Sequence, residues 1–160
     1  MAQPRSGSGG MQDPARPDRV VLDASVLVKW FNAEEGRDRA LMIRDAHIRG
    51  RLAIAAPSLA VYEVCNALRF GRIPLKEVVI AYHLLRGLRV DLIEPNEEVM
   101  DGTISTAFEN DLTVYDATYL ALAENLGAPL ITDDSRMTRC ASKGYKVHSL
   151  SSDAVLGLTS

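Results

Sequence analysis

Four acidic residues stand where a chain normally avoids charge, against apolar segments. They are Asp23 in Val20-Val21-Leu22-Asp23, Glu63 in Tyr62-Glu63-Val64-Cys65, Asp116 in Val114-Tyr115-Asp116-Ala117, and Asp134 in Leu130-Ile131-Thr132-Asp133-Asp134. Carboxylates are rarely buried unless they are paired or bind a metal, because losing their hydration costs several kcal/mol. Four that converge on one divalent cation would satisfy that constraint. An all-oxygen donor set selects hard cations, Mg²⁺ or Mn²⁺, over zinc or copper. Such a cation, keeping several waters, suits phosphate chemistry. The sequence has no P-loop or glycine-rich nucleotide fingerprint, so the expected phosphate belongs to a polymer or a small ester. His47, His83 and His148 stand apart from the acids, which leaves no Ser-His-Asp or Cys-His arrangement.

Each acid also has a plainer reading. Asp23 and Asp116 fit helix N-caps, where a carboxylate meets the positive end of the helix dipole. Asp133-Asp134-Ser135 fits a turn followed by a cap. Glu63 is harder to explain that way, since it is expected mid-helix and Arg69 is the only other charge among residues 58–70. Asn66, three residues on, would share its face and support the site.

The elements that would carry these residues alternate. Short apolar strands are expected at residues 20–22, 52–56, 90–93, 130–132 and 146–150. Helical patterns are expected at 26–31, 36–50, 58–70 (with Ser58 as N-cap), 74–88, 96–109, 116–126 and 135–143. Strands separated by helices of ten or more residues imply crossover connections and a parallel sheet. The expected fold class is therefore α/β, three layers around a mainly parallel sheet of about five strands. Ligands in such sheets bind beyond the carboxyl ends of strands where strand order reverses. Asp23 follows the first strand and Asp133-Asp134 follows the fourth, so those acids meet if the two strands are neighbours.

The 160 residues suit one domain, and a net charge of −3 argues against a surface that grips nucleic acid all over. Eight of residues 1–18 are Gly, Pro or Ser, which reads as a disordered tail. Its Ser-Gly-Ser-Gly-Gly stretch before Met11 fits a cloning remnant or an upstream start. Residues 19–152 are expected to form the domain and 153–160 a short C-terminal tail. Cys65 and Cys140 are too few and too far apart for a disulfide framework or a zinc site. The sequence has neither a signal peptide nor an apolar run of membrane-spanning length, so the expected location is cytoplasmic.

The segments Val21–Trp30, Glu63–Arg69, Tyr115–Ala123 and Leu130–Asp134 together resemble the PIN-domain family, and within it most closely the VapC toxin ribonucleases of type II toxin–antitoxin pairs. The resemblance spans about residues 20–150, with all four motifs in family order. It implies a PIN-like fold and an Mg²⁺- or Mn²⁺-dependent endoribonuclease that hydrolyses RNA phosphodiesters. Asp23, Glu63, Asp116 and Asp134 would then be catalytic, with Asp23 and Asp116 the main metal ligands. Glu63 and Asp134 would complete the ligand set, Asp133 would be a weaker candidate, and Ser25 and Thr132 would be supporting hydroxyls. It further implies a homodimer and a VapB-type antitoxin partner. RNA needs positive charge near the acids. Arg136, Arg139 and Lys143, in an acid-free stretch just after Asp134, are the candidates, against the plain reading of a solvated helix face. Three other readings remain open. A haloacid-dehalogenase-type phosphatase needs Asp-x-Asp, but Ser25 occupies the third position. A receiver domain leaves Glu63 unexplained. The third is a PIN-like binding module whose catalysis has lapsed.

Overall fold

A computed structural model describes residues 17–160, so most of the expected N-terminal tail lies outside the described residues. Five strands form one parallel sheet in the order β3-β2-β1-β4-β5. They are β1 (Asp18–Leu22), β2 (Leu52–Pro57), β3 (Asp91–Ile93), β4 (Leu130–Thr132) and β5 (Val147–Ser149). Every pairing is parallel, and β1 lies between β2 and β4. The strand order therefore reverses between β1 and β4, as the placement of Asp23 and Asp134 requires. Asp18, expected in the tail, begins β1 and pairs with Leu52.

Helices cover the sheet on both faces, which is why its central strands are apolar without alternation. Val20, Val21, Leu22, Ile54, Ala55, Leu130 and Ile131 are all at or below 1% exposed. After β1 come a single turn, α1 (Ala24–Leu27), a 3₁₀ turn over Val28–Trp30, and α2 (Arg37–Ile48). Helices α3 (Ala60–Phe70) and α4 (Leu75–Gly87) pack as a pair, as do α5 (Glu97–Asn110) and α6 (Val114–Leu126). The expected helix over residues 135–143 is shorter than its pattern: α7 (Ser135–Thr138) continues as a 3₁₀ segment.

Three local expectations change. Ser58 does not cap α3; that position falls to Leu59, while the Ser58 hydroxyl donates to Glu94. Thr113 rather than Asp116 caps α6, its hydroxyl accepting the Asp116 amide at 3.1 Å. The segment 153–160, expected as a tail, holds α8 (Asp153–Thr159), which packs on α2 and buries Val155. No helix among the described residues is long and apolar enough to cross a membrane.

The burial pattern sets a contrast. Ile54→Ala, at a fully enclosed sheet position, is expected to lower unfolding free energy by about 2–5 kcal/mol in urea titration. Val79→Ala, on the exposed face of α4, is expected to stay within about 0.5 kcal/mol. Equal losses would contradict this assignment of the core.

Candidate active site

Asp23 leaves β1 at the sheet's switch point with 5% of its surface exposed. It holds the cap position of α1, but its side chain does not cap that helix. Its Oδ2 instead accepts the Ser25 hydroxyl at 2.6 Å and the Thr132 hydroxyl at 2.8 Å. Ser25 belongs to α1 and Thr132 ends β4, so this one oxygen ties the two strand ends together. Burial pushes the Asp23 carboxyl above the ordinary carboxylate range, the two hydroxyls pull it back, and the charge of Asp116 adds to the rise.

Glu63 lies in the first turn of α3 rather than mid-helix, near the positive end of the helix dipole. One face of the helix is turned outward, with Tyr62, Asn66, Arg69 and Phe70 exposed. Glu63 is half-buried, and its Oε1 accepts the Tyr119 hydroxyl at 2.7 Å. Burial raises its pKa, Tyr119 lowers it, and the charges of Asp23 and Asp116 raise it further. The like charges of Asp23 and Asp116 both act on Glu63, so the three acids lie near one another at this end of the sheet. Tyr119, on the buried face of α6, went unnoticed among the site candidates. Its position three residues after Asp116 places both on one helical face, and that spacing was the available signal.

The two adjacent aspartates diverge. Asp134 caps α7 through its Oδ1, which accepts the Arg136 amide at 2.8 Å. The Arg136 side chain donates to both Asp134 oxygens, at 3.3 and 2.7 Å, and holds that carboxyl below its usual range. The same guanidinium reaches Asp116 Oδ2 at 3.2 Å, linking Asp134 to the other acids. Asp133 turns to the Lys29 ammonium, 3.0 Å away, while its amide donates to the Ser25 hydroxyl. Lys29 is itself buried and also donates to the Glu35 carbonyl. Of the other candidates, Asn66 is exposed and lines the groove between α3 and α4, Arg139 is exposed, and Lys143 donates to the Glu109 carbonyl.

Among the described residues, no three His, Cys, Asp or Glu side chains close into a ready cation cage. The site instead brings Asp23 and Glu63, whose ionised forms are disfavoured by burial and by neighbouring acids, close to Asp116 and Asp134, which Arg136 contacts. Such a set fits a hard cation that keeps part of its water shell. The histidines are elsewhere: His47 lies between the Leu52 and Leu88 carbonyls, 3.0 and 2.9 Å from its ring nitrogens.

With its folded-state pKa above the ordinary 4.5, Glu63 contributes stability that is present below pH 4.5 and is lost as pH rises through the folded value. In chelator at pH 7, Glu63→Gln, which keeps an acceptor for Tyr119, is expected to melt above the wild type. The gain should shrink as pH falls toward 4.5. A lower melting temperature at pH 7 would contradict this electrostatic picture.

Comparison with known proteins agrees with this architecture. The PIN domain profile matches residues 20–143. Ribonuclease VapC3 of Pyrobaculum aerophilum is 29% identical over 124 residues, covering 74% of this chain and 92% of that protein. The crystal structure of PAE2754 from the same organism aligns with a TM-score of 0.59 and 26% identity, covering 89% of this chain and 96% of that one. A toxin–antitoxin complex from Klebsiella pneumoniae shares the fold at a TM-score of 0.55 and 18% identity, covering 72% and 87%. With the profile reaching four of the five strands and all four acids, this chain belongs to the PIN-domain family.

Proposed function

We propose that this protein is a metal-dependent endoribonuclease of the VapC type, the toxin of a type II toxin–antitoxin pair, acting in the cytoplasm. The observation that carries the reading is the mutual proximity of Asp23, Glu63 and Asp116 at the switch point of a parallel sheet, in a PIN-domain chain. The curated name of the Pyrobaculum relative, a ribonuclease, supports the substrate class.

Asp23 and Asp116 would hold the cation, Mg²⁺ or Mn²⁺, with Glu63 and Asp134 completing the acidic crevice. A bound divalent cation neutralises charge on the phosphoryl oxygens and makes a water more acidic at neutral pH. Ser25 and Thr132 orient Asp23 through its Oδ2. Tyr119 fixes one Glu63 oxygen and leaves the other free to accept a proton from water. Asp133, engaged by Lys29, serves the turn rather than the ligand set. Arg139, exposed beside the crevice, would meet RNA phosphates, with Arg136 contributing once it leaves the acids and Lys143 from the same stretch.

Two surfaces support the partner assignments. The groove between α3 and α4 encloses about 920 Å³ and is lined by Val61, Tyr62, Cys65, Leu75, Val78 and Tyr82. An apolar groove between two helices suits an amphipathic helical segment, and a VapB-type antitoxin is the occupant we assign. On α5, Ile104 and Phe108 are exposed, offering an apolar face for a homodimer.

Cleavage of single-stranded RNA is expected to stop with EDTA and return with Mn²⁺ or Mg²⁺, leaving a 5′-phosphate and a 3′-hydroxyl. Asp116→Asn is expected to slow it by about 100-fold or more. A 2′,3′-cyclic phosphate, or cleavage unaffected by chelator, would mean attack by the ribose hydroxyl and defeat the mechanism. Expressed alone in bacteria, the wild type is expected to arrest growth and Asp23→Ala to permit it. Equal growth of the two would favour a PIN-like binding module over a toxin.

A further inference from the structure

Arg136 is the cation that the fold places against the acid cluster. Its Nη2 lies 2.7 Å from Asp134 Oδ2 and 3.2 Å from Asp116 Oδ2, and its Nε lies 3.3 Å from Asp134 Oδ1. The fork is prepared by the chain itself, since Asp134 caps α7 and accepts the Arg136 amide two residues on. The neighbouring basic groups are otherwise placed: Lys29 pairs with Asp133, Lys143 donates to the Glu109 carbonyl, and Arg139 is exposed. Arg136 is also free to leave, because half of its side chain (52%) is exposed.

We propose that Arg136 is the resident counter-ion of the acid cluster and competes with the divalent cation for the Asp116 and Asp134 carboxylates. This rests on the metal-site reading above. A Mg²⁺-sized cation sits about 2.1 Å from a carboxylate oxygen. A guanidinium nitrogen 3.2 Å from that same Asp116 oxygen would bring two positive charges too close to share it. Arginine cannot relieve the conflict by giving up its proton. The two positive charges repel across that carboxylate, and the flexible, exposed one can yield. Cation affinity is then set partly by a residue that donates no ligand atom. The exchange also frees a guanidinium at the mouth of the crevice only when the cation is in place.

The test is Mn²⁺ titration by calorimetry on the full chain, comparing wild type, Arg136→Gln and Arg139→Gln. Arg139 acts on Asp134 only at a distance, so its variant removes the same charge without removing the contact. Arg136→Gln is expected to tighten Mn²⁺ binding about two- to fivefold, the range spanned by exposed ion pairs, and Arg139→Gln to change it less. In chelator, Arg136→Gln is expected to melt below the wild type, and the rise in melting temperature on adding Mn²⁺ to be larger. Equal affinity in wild type and Arg136→Gln would overturn the competition while leaving the metal site intact. Equal tightening by both variants would reduce it to net charge and overturn it as well. No Mn²⁺ binding by any of the three would remove the metal site and this proposal together.

Discussion

The rest of the structure is arranged around the cost of bringing carboxylates together out of water. Asp23 is nearly fully buried, and burial and Asp116 both work against its ionisation. What keeps it in place is hydrogen bonding: two hydroxyls, from α1 and from the end of β4, converge on one oxygen. Each hydroxyl has a second task as well. Ser25 accepts the Asp133 amide and Thr132 accepts the Asp134 amide, so the atoms that steady the acid also shape the turn after β4. Removing either hydroxyl would loosen the acid and the turn at once.

Much of this was legible in the chain because strand ends and switch points obey simple topology. A strand ending in Asp23 and another ending in Thr132-Asp133-Asp134 meet if β1 and β4 are neighbours, and they are. The parts that resisted reading depend on side-chain direction. Thr113 and Asp116 are equally good caps by residue type, and only the true start of α6 assigns the role to Thr113. Glu63 looked stranded mid-helix because Ser58 was a plausible cap, whereas the chain turns helical at Ala60 and places Glu63 in the first turn. The division of labour between Asp133 and Asp134 needs Lys29, a partner more than a hundred residues away. Residues 153–160 are short and polar at their start, and only docking on α2 makes them helical, a tertiary effect that local pattern does not carry.

The site concentrates electrostatic tension that the fold offsets elsewhere. The enclosed sheet and the buried face of α6 supply apolar packing, while the crevice at one end holds like charges that oppose folding. Such a division is common where function and stability conflict. It also shows in where the counter-charge sits: among the described residues no Lys or Arg pairs with Asp23 or Glu63, the two most desolvated acids. The basic contact made there comes from a half-exposed arginine at the rim.

The groove between α3 and α4 carries one more consequence, a built-in chemical reporter. Both cysteines are free thiols, but Cys65 lines that groove while Cys140 is buried. Desolvation raises both thiol pKa values, so neither is a reactive nucleophile at neutral pH. A maleimide applied at mildly alkaline pH would therefore mark the groove selectively. Anything seated between the two helices would shield that sulfur, so occupancy could be followed by the mass of the adduct with no engineered cysteine.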